Sequence, residues 1–205
     1  DKVEHRSALD RKDIPLFLNQ LDKYGGSFST VCALKLLILT AARPGEVFKA
    51  VWSDFDLDNK VWIRPSERMK SRKEHPTPLC KQAIEVLNNL HRVTGNREYL
   101  FPNERNPKKH MSENTLNQAI NRRMGFNATA HGMRSVFSSL ANEFGFNPDA
   151  IEMQLAHMEK NEVRRAYNRT QYWDERVSMA QQWADYLDSL KSGGNVIISD
   201  FKRTG

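Results

Sequence analysis

The sequence predicts a mainly helical α+β domain with a small three-stranded antiparallel sheet at one edge. Three observations carry that reading. Apolar residues recur at helical spacing in most segments, the period falls to two only between Trp52 and Leu79, and Pro76 and Pro78 confine the last strand of that stretch to an edge. At 205 residues the chain can bury one good-sized core.

Taken in order, the first helix is signalled by Asp13 and Pro15, runs through Leu16, Phe17 and Leu21, and stops at Gly25-Gly26. A second, from Ser29 to Ala41, carries Val31, Leu34, Leu37 and Ile38 and is apolar enough for the core. Pro44 suits the first position of a short helix holding Val47 and Phe48, which places Arg43 at a helix mouth. Asp54 to Leu57 and Lys60 to Ile63 read as a hairpin with its turn at Asp58-Asn59. A basic turn, Glu67 to Lys73, leads to the strand Glu74 to Leu79. Helices resume at Lys81 to Thr94, ending at Gly95, and from a Ser112 cap to Met124. Thr129 is the expected cap of a helix running toward Phe144, and Asn147-Pro148 opens another that ends close to His157. A short segment, Asn161 to Arg169, carries Tyr167. The last long helix, Tyr172 to Leu190, shows one stripe of Trp173, Val177, Ala180, Ala184 and Leu187 before Gly193-Gly194.

The formal charge of +6 suits an acidic partner without specifying one. Cys32 and Cys80 have no metal spacing, and no stretch resembles a signal peptide, so a reducing cytoplasm is the expected compartment. The longest apolar run, Ala33 to Ala42, is interrupted by Lys35 and Thr40 and is too short to span a bilayer. Asp54, Asp56 and Asp58 alternate as in a calcium loop, but Asn59 and Pro65 stand where the glycine and final glutamate are required. A phosphate-cradling glycine loop, a serine nucleophile elbow and zinc-spaced His/Cys clusters are all missing from the sequence. Metal-dependent nuclease and NTPase readings therefore lapse.

His131 and Arg134 stand three residues apart near a helix start, where backbone N–H groups and the macrodipole favour an anion such as phosphate. Arg43, Lys70, His157 and Tyr167 join them as candidates. Singly, each has a plain structural explanation: a surface charge, a solvated turn cation, a satisfied core edge, an amphipathic packing residue.

Together they resemble the catalytic set of the tyrosine recombinases, the phage integrase family. Ala42-Arg43-Pro44-Gly45-Glu46 resembles the family's first arginine box, and Lys70 lies in the turn between the second and third strands. His131-Gly132-Met133-Arg134 resembles the histidine–arginine box and Leu155-Ala156-His157 the next one. Tyr167 falls ten residues later, where the family has its nucleophile. Trp52-Ser53-Asp54-Phe55-Asp56 and Ser66-Glu67-Arg68-Met69-Lys70 are most similar to integrases of satellite phages and bacterial genomic islands.

The resemblance implies a site-specific recombinase catalytic domain that cleaves and rejoins DNA through a 3′-phosphotyrosyl intermediate without ATP or metal. A phenol, with a pKa near ~10, needs a base and an electrophilic phosphodiester. Arg43 and Arg134 suit non-bridging oxygens, His131 proton handling beside Tyr167, His157 a further bond to phosphate, and Lys70 the acid for the leaving 5′ oxygen. Arg68, Arg72 and Lys73 share the basic turn and are the expected DNA contacts.

Implied partners are double-stranded attachment sites, a homotetramer on paired sites (the isolated domain being compatible with a monomer) and accessory DNA-bending proteins, in a bacterial, nucleoid-associated setting. The family's separate helical domain before the catalytic one is not recognisable here. The expected division is a linker remnant at 1–12, the catalytic domain at 13–191 and a tail at 192–205, which in relatives docks on a neighbouring protomer. Two other readings share these residues: a type IB topoisomerase, and a DNA-binding module that kept the fold without the chemistry.

Overall fold

The computed structural model describes residues 7–69, 72–157 and 172–193. Helix α1 (Ile14–Asp22) follows a single 3-10 turn and buries Ile14, Phe17, Leu18 and Leu21, with Pro15 in its first turn as expected. Helix α2 (Phe28–Thr40) is apolar around most of its circumference, burying Cys32, Ala33, Leu34, Leu36, Leu37, Ile38 and Leu39. A helix of that kind has to be wrapped by others. It is: α2 packs against α3 (Pro44–Phe48), α4 (Lys81–Thr94), α5 (Asn114–Gln118), α6 (Gly132–Glu143) and the last described helix, here α8 (Trp173–Lys191). The Trp183 indole of α8 donates to the Ile38 carbonyl at 2.8 Å, fixing the two helices in register.

The sheet has the order β1-β2-β3, antiparallel throughout, from β1 (Phe55–Asp56), β2 (Val61–Arg64) and β3 (His75–Pro78). Asp54 falls in a 3-10 turn, so the first strand is shorter than the alternation suggests. The hairpin turn is closed by the Asp56 carboxylate, which accepts from the backbone N–H (2.9 Å) and side chain (2.7 Å) of Asn59. Pro76 and Pro78 pair with Ile63 and Val61 on the edge strand, where a missing N–H costs no ladder bond.

Three boundaries depart from the sequence reading. The Ser112 turn opens α5, whose hydroxyl accepts the Asn114 N–H, but the helix passes into a π-helical turn over Ala119–Arg123. The N-cap of α6 is His131 rather than Thr129, whose hydroxyl accepts the Gly132 N–H from three residues upstream. The stripe expected on α8 is rotated: Arg176, Met179, Ala180, Trp183, Ala184, Tyr186 and Leu187 are buried, while Val177 is 43% exposed. The reason is that α8 is covered on several sides, by α1, α2, α7 (Pro148–Gln154) and β3, so a single apolar stripe does not describe it. No described helix is long and apolar enough to cross a membrane.

Candidate active site

Two arginines and a histidine arrive from separate elements, the arginines held by backbone carbonyls and the histidine by a carboxylate. Helix α2 ends when Ala41 turns left-handed (φ 52°), and the Thr40 hydroxyl stabilises the break by donating to Leu36 O (2.7 Å) and accepting the Ala42 N–H (3.3 Å). The chain then extends through Arg43, whose successor Pro44 starts α3. The Glu46 carboxylate, in the first turn of α3, accepts both the Arg43 backbone N–H (3.0 Å) and its Nη1 (2.9 Å), and Arg43 Nη2 donates to Ala156 O at 3.1 Å.

Arg134 projects from the first turn of α6 and is only 5% exposed. Its Nη1 donates to Ala41 O at 2.5 Å and its Nη2 to Leu155 O at 2.7 Å. The segment after Arg43's helix-breaking turn therefore has a counterpart after α7, where Ala156 is again left-handed (φ 51°). Each of these alanines gives its carbonyl to a site arginine, which explains why a non-glycine residue is kept in a sparsely populated conformation there.

His157 follows directly. Its Nδ1 lies 2.7 Å from the Glu152 carboxylate and its Nε2 3.4 Å from Arg134 Nη2. A guanidinium can only donate, so this geometry suits the tautomer with Nδ1–H on Glu152 and the Nε2 lone pair toward Arg134. His131 sits at the N-cap of α6, one turn before Arg134, and is partly exposed.

Burial, and after it the neighbouring Arg43, lowers the Arg134 guanidinium to about 10. Burial pushes the Glu46 carboxyl up, but Arg64 and Arg43 outweigh it together and hold Glu46 below its ordinary value. A second layer supports these groups. Arg64, 4% exposed, bonds to Glu46 and to the Thr77 hydroxyl and lies over the Trp62 ring at 4.6 Å. Gln154 donates to Thr40 O (3.0 Å) and accepts from Arg176 Nε (3.2 Å) and Nη2 (3.1 Å), while Arg176 Nη2 also reaches Pro76 O at 2.8 Å.

Of the residues expected from sequence, Arg43, Arg134 and His157 come together, with His131 on the same helix start as Arg134. Lys70 and Tyr167 lie outside the described residues, as do 158–171 around the nucleophile position and 194–205 of the expected tail. Arg68 ends the 3-10 turn Ser66–Arg68; Arg72 is exposed with a left-handed backbone (φ 50°), and Lys73 is partly buried. Sequence reasoning missed Glu46, Arg64, Glu152, Gln154 and Arg176. Glu46 carried a signal, an acid three residues after a helix cap. So did Arg64: period two puts it on the face of Trp62, opposite the more exposed Ile63. Among the described residues no group of three or more His, Cys, Asp or Glu is placed to hold a metal ion.

Comparison with known proteins gives this arrangement a context. The model of the phage integrase family matches residues 7–173. The integrase of Enterobacteria phage P4 is 40% identical over 205 residues, covering 91% of this chain and 46% of that one. Among solved structures, the integrase from mycobacterium phage Brujita shares the fold with a TM-score of 0.66 at 16% identity, covering 89% of this chain and 59% of that one. The XerH site-specific recombinase bound to its difH substrate gives a TM-score of 0.62 at 17% identity, covering 80% and 51%. The chain spans about half the length, 45–51%, of the curated relatives it matches. The mainly helical fold with its three-stranded edge sheet is thus that of recombinase catalytic domains.

Proposed function

The chain belongs to the phage integrase family, and from that premise we propose that it is the catalytic part of a site-specific DNA recombinase, integrating or excising a mobile element. The observation that carries the proposal is the convergence of Arg43 and Arg134 on carbonyls 41, 155 and 156, with the His157 ring beside Arg134. Guanidiniums fixed before substrate arrives can donate to the non-bridging oxygens of a phosphodiester without reorganising as its charge grows.

In the proposed reaction the Tyr167 phenol oxygen attacks phosphorus as His131 takes its proton. The bond from phosphorus to the 5′ oxygen breaks, and that oxygen takes a proton from Lys70. A 3′-phosphotyrosyl link and a free 5′ hydroxyl result; attack by a 5′ hydroxyl reverses the step, so bond energy is conserved and no nucleotide cofactor is consumed. Arg68, Arg72 and Lys73 contact the DNA backbone beside the site.

The partners on this reading are double-stranded attachment sites, a homotetramer on paired sites and accessory bending proteins, in the bacterial cytoplasm at the nucleoid. The DNA-bound XerH neighbour supports the first of these by analogy of fold. The division into a linker remnant at 1–12, a catalytic domain at 13–191 and a docking tail at 192–205 belongs to the same proposal. Topoisomerase-like relaxation and a non-catalytic module are less favoured, since the named relatives are integrases.

The test is a covalent adduct on nicked duplex DNA, trapped by denaturation. Tyr167→Phe keeps the ring and removes the nucleophilic atom, so adduct disappears while DNA affinity stays within about twofold. Adduct that persists in this variant would move the nucleophile elsewhere, with Tyr172 next to be examined.

A further inference from the structure

Ser7 lies far from the histidine–arginine box in sequence and against it in space. Its hydroxyl donates to Asn127 O at 2.6 Å, and its carbonyl accepts the Thr129 backbone N–H at 2.9 Å and the Thr129 hydroxyl at 3.4 Å. That hydroxyl in turn accepts the Gly132 N–H. The approach is close enough to dictate residue 132: a methyl there would penetrate the Ser7 carbonyl and sit 2.8 Å from Ala8 Cα. Gly132 has an ordinary helical place at the start of α6, so contact with this segment, not backbone conformation, requires the glycine.

The opposite side of the same turn is fastened from α5 and its π-helical extension. Asn117 Oδ1 accepts the Ala130 N–H at 2.9 Å, and Asn121 Nδ2 donates to Phe126 O (2.6 Å) and Ala128 O (2.5 Å). The chemistry fixes both amides, because a backbone N–H needs an oxygen and a carbonyl needs an N–H. The irregular backbone that leads into His131 is thus gripped by side chains and by Ser7 rather than by helix or sheet.

We propose that Ser7 and Asn117 are positioning residues for His131, which makes the N-terminal segment a working part of the active site. The inference rests on the reading that His131 takes the Tyr167 proton, where a displacement of about 1 Å can cost on the order of 10²-fold in rate.

The experiment measures adduct formation, DNA affinity and melting temperature for His131→Ala, Gly132→Ala, Asn117→Ala and Asn117→Asp in the full chain. Gly132→Ala and Asn117→Ala are expected to form adduct about 10- to 100-fold more slowly with DNA affinity unchanged. Asn117→Asp keeps the acceptor and retains most of the rate. Because a phenol ionises unaided near ~10, each deficit relative to the wild type at the same pH should shrink as pH rises toward that value. A deficit independent of pH would mean that the turn does not act through His131, and wild-type rates in the Asn117→Ala chain would overturn the proposal even if Gly132→Ala fails to fold. Wild-type cleavage by His131→Ala would instead remove the role of His131 itself, a failure distinguishable from a slow His131→Ala beside fast Gly132→Ala and Asn117→Ala.

Discussion

Glu46 pairs with both Arg43 and Arg64, and its charge is what allows two guanidiniums to share one carboxylate. Because its folded value lies below the ordinary carboxyl value, the stabilisation is complete above about pH 4.3 and is lost as pH falls through the lower folded value. Glu46→Ala should therefore destabilise the domain by about 3–5 kcal/mol at neutral pH, the cost of leaving a buried charge uncompensated, and the gap to the wild type should narrow in melts near pH 3. A gap that stays constant from neutral pH to 3 would mean that the two arginines do not hold the carboxyl below its unfolded value. Lys70 poses a different question, since Lys73 shares its turn and arginine neighbours cannot release a proton. As the general acid, Lys70→Ala should slow cleavage by about 10²- to 10⁴-fold, and a sulfur in place of the 5′ bridging oxygen should restore most of that rate because a thiolate leaves without a proton. Lys73→Ala should show a binding loss without sulfur rescue; the reverse pattern would transfer the role.

At the scale of elements, the ends of α2 and α7 matter more than their lengths. Ala41 is fully buried and left-handed, and its carbonyl grips Arg134. Ala41→Val puts a β-branched residue where L-residues are already strained and the core is full, so thermal melts should show a loss of about 2–4 kcal/mol. A neutral substitution would show that the turn can relax to another conformation without releasing Arg134. These turns also mark where the sequence stopped being legible. Helix α4 begins at Lys81 and ends at Thr94, where periodicity and Gly95 place it, and Pro76 and Pro78 reveal β3 as an edge, because propensity and local chemistry decide such features. Arg43, Arg134 and His157 were legible only as a set whose order resembles a family. The carbonyl grips on them were not, since a left-handed alanine has no signature in composition and its partner is distant along the chain. The partners of Arg64 and Arg176 were hidden for the same reason: Glu46 and Gln154 come from other elements.

For the whole molecule, the positive balance of +6 is the property a polyanion would read. If six or more phosphates are neutralised, affinity for duplex DNA should fall roughly 10³-fold or more between about 50 and 200 mM salt. A flat titration would place the gripping surface outside these residues, which make up about half the length of the curated relatives. The two-sided grip on the arginines also has a consequence for how the protein is made. Arg43 waits for a carbonyl from residue 156, and Arg134 needs one from residue 41 and another from 155. A nascent chain that has emerged only as far as α6 holds both arginines yet lacks two of these three carbonyls. The long-range contacts that close the site are the slow ones to form. Translation therefore completes the arginine site late, only after α7 and the turn that follows it have emerged.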